Sequence, residues 1–372
     1  MKFLEEQSEW KSYMANILKP LMIGDLEVKI PIVQGGMGVQ VSTASLASAV
    51  ANCGGAGTIA SVGLAYGIDE KGRGLVEASN EALRNEIREA KRLTRGVVGV
   101  NIMVALSNFE DLVRTAVEEH ADFIVSGAGL PLKLPEHTEG SSTKLIPIVS
   151  SARAADLIIK TWKKRYNRLP DAIVVEGPLA GGHIGFKLTD LLNHTEGRLE
   201  DLFASVLKMT GEYEKEYNAR IPVIPAGGIF DGKDMARFLK MGAGAVQMAT
   251  RFVATFECSV SEKFKSMYLA AGSEDVIIID SPVGMPARAI KNRFTERLTS
   301  GEKVSFNCRY KCLRTCDPAT APYCIAKALC NASRGDMDNA VVFAGSNVSR
   351  VTKIVSVKEL MDEIVNEALR EL

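Results

Sequence analysis

"IPVIPAGGIFDGKDMARFLKMGAGAVQMATRF", from Ile221 to Phe252, holds in one stretch the unit that decides the fold. An apolar run rich in Ile and Val ends in a glycine pair. A segment of helical period follows, and a second apolar run closes the unit. Parallel strands buried on both faces read as short continuous apolar runs, and joining two of them requires a crossover, usually a helix. Residues 221–252 therefore predict strand, helix, strand.

The same rhythm runs upstream. "KIPIVQGGM" precedes the helical "STASLASAVANCGG", "AGTIAS" precedes a long charged helix, and "VVGVNIMV" precedes "NFEDLVRTAVEEH". "ADFIVSGAG", "KLIPIVSS" with "ARAADLIIKTWKKRY", and "DAIVVEGPLAGG" complete the set, giving eight strands with those of 221–252. Eight β/α units in series predict an α/β fold, a (β/α)8 barrel, with functional groups at the C-terminal strand ends. An open doubly wound sheet is the alternative, and the count closing at eight favours the barrel. The predicted organisation is a leading helix over residues 1–19, a barrel over 20–255 joined by a strand and helix from 341–372, and an irregular helical cap with a cysteine-rich segment over 256–340.

Lys plus Arg and Asp plus Glu number 45 each in 372 residues, so the formal net charge is zero and no basic surplus points to nucleic acid. The charged, amphipathic start lacks the apolar core of a signal peptide, and no apolar run reaches the ~18 residues of a membrane span. These features predict a cytoplasmic protein acting on a small molecule, with neither nucleic acid nor membrane as partner. The apolar C-terminal helix suggests a homodimer.

The strand ends carry the chemistry. Gly227 and Gly228 after the seventh strand, with Ala249 and Thr250 after the eighth, are where barrels bind phosphate through backbone N–H groups. Gly35, Gly36 and Gly38 leave room for a flat ring on the first strand end, beside Met37. Asn101, Ser126, Gly127 and Gly129 reach the same rim. A phosphorylated flat cofactor suits this slot: flavin mononucleotide (FMN), pyridoxal phosphate or a nucleotide. Pyridoxal phosphate requires a lysine for its Schiff base, and no strand ends in one. "EGPLAGGHIG" then sets His183, one of only four histidines, behind Gly181 and Gly182. A histidine there can exchange a proton near neutral pH.

These blocks resemble, in order from about residue 20 to 295, the FMN-dependent nitronate monooxygenase family, also called 2-nitropropane dioxygenase-like, and the similar flavin-type enoyl-acyl-carrier-protein reductases II. The resemblance implies an FMN-binding TIM barrel with a helical cap. It places Gln34, Gly35, Gly36 and Met37 along the flavin ring and Asn101, Ser126 and Gly127 at its edge, with Gly182 close by. Gly227, Gly228, Ala249 and Thr250 would hold the phosphate, Gln247 would point into the same cavity, and His183 would be catalytic. The implied activity is oxidation of alkyl nitronates with O2 to a carbonyl product and nitrite. The alternative is NAD(P)H-dependent reduction of an enoyl thioester or of another acceptor, with NAD(P)H as reductant.

Two positions depart from the family pattern. Leu179 stands where "EAGGH" has its glutamate, leaving Glu176 as a substitute carboxylate. "SPVGMPARAIKN" lacks the reductases' histidine, although Arg288 and Lys291 offer charge for an anionic substrate. A nucleotide-acting barrel such as inosine monophosphate dehydrogenase needs a cysteine in a glycine-rich loop, whereas Cys53 falls on a helix and Cys258 beyond the eighth strand. Finally, Cys308, Cys312, Cys316, Cys324 and Cys330 crowd the cap; without a C-x2-C knuckle and with one cysteine left over, the spacing favours packed or redox-active thiols over a zinc or iron–sulfur site, and no metal ligand is expected.

Overall fold

The computed structural model describes residues 18–66, 74–308 and 311–372. Residues 1–17 of the expected leading helix lie outside them. Eight parallel strands form one sheet: β1 Ile32–Gln34, β2 Gly57–Ala60, β3 Val98–Met103, β4 Phe123–Gly127, β5 Lys144–Val149, β6 Ile173–Glu176, β7 Val223–Ala226 and β8 Val246–Met248. Strand β8 pairs with β1, and a parallel bridge between Val33 and Ala56 joins β1 to β2, so the ring closes as a TIM barrel.

Alternate residues of each strand go to different layers, which is why the strands read as unbroken apolar runs. Val33, Phe123, Val125, Ile146, Val174 and Ile224 fill the barrel interior, while Ile32, Ile59, Ile124, Leu145, Ile173 and Val223 face the helices. A hairpin of Leu21–Ile23 and Leu26–Val28 plugs the N-terminal end, burying Leu21, Ile23 and Val28 against the interior cluster. Helix Leu199–Tyr217, which crosses from β6 to β7, was not anticipated; the other crossovers between expected elements fall where the period placed them.

The region after β8 is less helical than its composition suggests. Val276–Asp280 pairs antiparallel with Pro286–Ile290, which also pairs with Val342–Phe343 and with the two-residue strand Gly182–His183. "VIIID" and "PARAI" are strand sequences by β-branching and alternation, hidden from a reading tuned to buried parallel runs. Segment 341–372 accordingly divides: its strand joins the cap sheet and its helix, Val357–Glu371, lies on the barrel. That helix buries Leu360, Met361, Ile364 and Ala368 against helices Gly232–Lys240 and Ala44–Asn52. The apolar face that suggested a homodimer is thus covered within the chain. No helix among the described residues is long and apolar enough to cross a membrane.

Close strand–helix approach sets one clear requirement. A Cβ on Gly57 would stand 1.9 Å from the Ala47 carbonyl oxygen, a backbone atom that cannot turn aside. Gly57→Ala is expected to destabilise the fold by about 1–3 kcal/mol. Gly211→Ala, in open space on helix Leu199–Tyr217, is expected to stabilise it by up to ~1 kcal/mol. Opposite shifts of the urea midpoint check this; equal shifts would refute it.

Candidate functional site

At the C-terminal strand ends a cavity of about 260 Å3 opens between the barrel rim and the cap. Eleven of the thirteen residues expected to bind a cofactor line it: Gly35, Gly36, Met37, Asn101, Gly127, Gly182, Gly227, Gly228, Gln247, Ala249 and Thr250, and so does His183. Gly36 presses its bare backbone on Asn101, where a Cβ would come within 2.3 Å of the Asn101 Cβ. Gly227 and Gly228 have φ of +87° and +94°, a conformation that favours glycine. No backbone acceptor is found for the Gly228 N–H among the described residues.

Gln34 and Ser126 do not line the cavity. Gln34 is fully buried: its Oε1 accepts from the Thr58 N–H at 2.9 Å, and its Nε2 donates to Ser42 Oγ at 2.8 Å and to the Gly35 carbonyl. Ser126 is buried too, its hydroxyl donating to the Ile102 carbonyl at 2.9 Å. Both belong to the frame: residues alternate in direction along a strand, and these two side chains are spent on bonds to neighbouring strands.

His183 owes its position to the cap. The pairing of Gly182–His183 with Ala287 and Arg288 draws it under the cap sheet, where its Nε2 sits 2.8 Å from Ser281 Oγ and its ring meets Phe343 edge-on at 5.1 Å. Burial lowers its pKa to about 4, so the imidazole is neutral at physiological pH. Glu176, at the end of β6, also lines the cavity, and burial raises its pKa to about 7. Among the described residues these are the only imidazole and the only carboxylate in the lining.

The two basic residues of the "RAIKN" block have separate fates. The segment, expected within a helical cap, is a strand, and Arg288 is buried. Its Nη1 donates to the Pro178 and Ala180 carbonyls at 2.5 and 2.6 Å, fixing the turn that leads into Gly181–His183. Lys291 is half-exposed and pairs with Glu296 at 3.3 Å, away from the cavity. Leu179 lines the cavity and covers Gly228, where a Cβ would meet the Leu179 Cβ at 3.1 Å.

Ser281, Phe343 and Gly345 went unnoticed in the sequence. Gly345 donates its N–H to Thr250 Oγ1 at 3.1 Å, and Asn347 donates to the Gly228 carbonyl at 2.7 Å, so the 345–347 turn closes over the seventh and eighth strand ends. Its only sequence signal is "AGSN", a turn-forming run with no metal or acid–base residue to single it out.

A closed parallel barrel with a half-buried histidine and carboxylate in a cavity at its C-terminal face defines an α/β-barrel enzyme. Residues 19–367 match the nitronate monooxygenase family, and the chain belongs to it. Membership makes it an oxidoreductase of flavin type. The chain is 31% identical, over 74% of its length and 67% of the relative's, to a (3aS,4S,5R,7aS)-5-hydroxy-7a-methyl-1-oxo-octahydro-1H-indene-4-carboxyl-CoA dehydrogenase of Mycobacterium tuberculosis. It is 26% identical, over 76% of its length and 81% of the relative's, to a probable nitronate monooxygenase of Staphylococcus saprophyticus. FabK from Thermotoga maritima superposes with a TM-score of 0.71 at 27% identity, covering 96% of both chains. A nitroalkane oxidase from Streptomyces ansochromogenes shares the fold, with a TM-score of 0.71 at 20% identity over 94% of this chain and 97% of that one.

The depressed basicity of His183 is directly measurable. Its imidazole NMR shifts are expected to stay those of the neutral ring from pH 8 down to about 5, with protonation only near 4. Titration at the ordinary value of 6.5 would show that water reaches the ring freely.

Proposed function

We propose that this protein is an FMN-dependent nitronate monooxygenase, oxidising alkyl nitronates with O2 to a carbonyl product and nitrite. The observation that carries the proposal is the placement of His183, held by Ser281 and Phe343, over a glycine-lined cavity floor. A histidine with a pKa of about 4 is a weak base, unsuited to removing the α-proton of a neutral nitroalkane. A nitronate has already lost that proton.

The residues present fit FMN. The Gly228 N–H and the Thr250 hydroxyl offer donors for a phosphate beside the bare backbone of Gly227. Gly35, Gly36 and Gly182 leave bare backbone for a flat ring, flanked by Met37, Asn101, Gly127 and Gln247. When bound, the flavin supplies the redox chemistry, taking electrons from the substrate and delivering them to O2.

The chain's own side chains prepare the substrate. His183, held by Ser281 and Phe343, offers a hydrogen bond to a nitro oxygen without adding a charge. The cap walls, with Leu106, Val283, Leu313, Ile325 and Phe343, accept the alkyl group and exclude water. Glu176 sets the pH range: below about 7 it is protonated and tolerates an anionic substrate, and above that it places a negative charge in the same cavity.

A second reading, NAD(P)H-dependent reduction of an enoyl thioester, is favoured by one observation. The apolar lining continues under the cap past Leu112 and Leu329, farther than a small nitronate needs, and suits an acyl chain.

Nitrite release from a preformed nitronate is expected to fall as pH rises through about 7, and Glu176→Gln is expected to remove that fall. An unchanged alkaline limb in the variant would rule Glu176 out as its source. Absence of nitrite at every pH would overturn the monooxygenase reading.

A further inference from the structure

The cavity carries two polar side chains, Asn108 and Ser79, that the proposed oxidation leaves without a task. Asn108 opens helix Phe109–Glu118 shortly after β3, and Ser79 lies in the second turn of helix Leu75–Leu93, the crossover from β2 to β3. Round the closed ring β3 and β2 stand third and fourth from β6, whose loop brings in His183. The two groups therefore enter the cavity from the side opposite the histidine.

Their state is unusual for buried side chains. Asn108 is 4% exposed and Ser79 7%, yet neither side chain has a hydrogen-bond partner among the described residues. An asparagine at a helix N-cap ordinarily turns its oxygen back to the free N–H groups of the first turn. Asn108 makes no such bond, and its amide is left to the cavity it lines. Leu75, Leu112, Ile325 and Leu329 share that lining, so the two polar groups are set into apolar surroundings.

The surroundings narrow what these groups can bind. A purely alkyl chain at this end would displace water from both and pair neither, and an unmet buried polar group costs more than a made hydrogen bond gains. Among the described residues the lining holds no Lys or Arg, so an anionic end group finds no counter-charge there. Its one carboxylate, Glu176, ends β6 across the ring, so a cationic end group finds none either. A carboxamide and a hydroxyl can each donate and accept. The group that suits both is neutral and bears oxygen, a ketone or an alcohol.

We propose that the substrate is bifunctional: an apolar skeleton with its reacting group at His183 and a ketone or hydroxyl at the opposite end, hydrogen-bonded by Asn108 and Ser79. The inference rests on reading this cavity as the substrate site and names the class of molecule within it; it does not require the reacting group to be a nitronate. Asn108 and Ser79 take no part in the chemistry. They select the substrate, because a molecule lacking the distal oxygen leaves both groups unpaired.

The test is calorimetric titration of the full-length, flavin-loaded protein, without O2, with neutral nitroalkanes of increasing chain length, each with and without a methyl ketone at the far end. At the length that spans the cavity the ketone is expected to bind about tenfold more tightly than its plain partner. Asn108→Leu is expected to reverse that order, weakening the ketone and tightening the plain chain, and Ser79→Ala to shrink the advantage. Circular dichroism and flavin content report whether each variant folds. Ketones binding no better than plain chains at every length, or a folded Asn108→Leu that keeps the preference or weakens both ligands alike, would overturn the proposal. Binding is read here and not turnover, so the outcome is separate from nitrite release, on which the monooxygenase reading stands or falls.

Discussion

The barrel depends on an amide side chain at its weakest seam. Strands β1 and β2 share one bridge, with the Gln34 N–H donating to the Ala56 carbonyl and the Ala56 N–H to the Ile32 carbonyl, each at 2.9 Å. The next donor on β2, the Thr58 N–H, is met by Gln34 Oε1 in place of a backbone carbonyl. That substitution releases the chain after Gln34 from the ladder. Gly35 and Gly36 can then leave the sheet and form the cavity floor while the ring stays closed. An unpaired buried N–H at this seam would cost about 1–3 kcal/mol, so this amide is structural whatever the cavity binds.

Above that floor the site is built by excluding water. The cap sheet pairs directly with the loop that carries His183, and the buried Arg288 guanidinium holds the carbonyls just before it. The same enclosure moves two titrating groups in opposite directions. His183 loses its charge at neutral pH, and Glu176 is brought to the border between its charged and neutral forms.

The barrel was legible because both faces of its strands are buried. Val174 points inward and Ile173 and Val175 outward, so "IVV" reads as a strand whichever face is considered. The glycines at the strand ends were legible for a related reason: backbone that must approach a ligand or take positive φ leaves no place for a side chain. The direction of individual side chains was not legible. Gln34 and Ser126 sit among cavity residues in sequence yet turn into the frame. The partners of His183, at Ser281 and Phe343, come from distant parts of the chain that meet only in the cap sheet. The hairpin holding Arg288 was expected within a helical cap, with its charge free for an anionic substrate, whereas burial under carbonyl oxygens makes the arginine a clamp.

The most direct measurement is the absorbance of the purified flavoprotein mixed anaerobically with an alkyl nitronate and, separately, with NAD(P)H. Bleaching of the flavin bands by the nitronate, with no comparable change on adding the nicotinamide, is the result expected of a nitronate monooxygenase. Rapid bleaching by NAD(P)H together with indifference to the nitronate would contradict it and place the chain with the reductases.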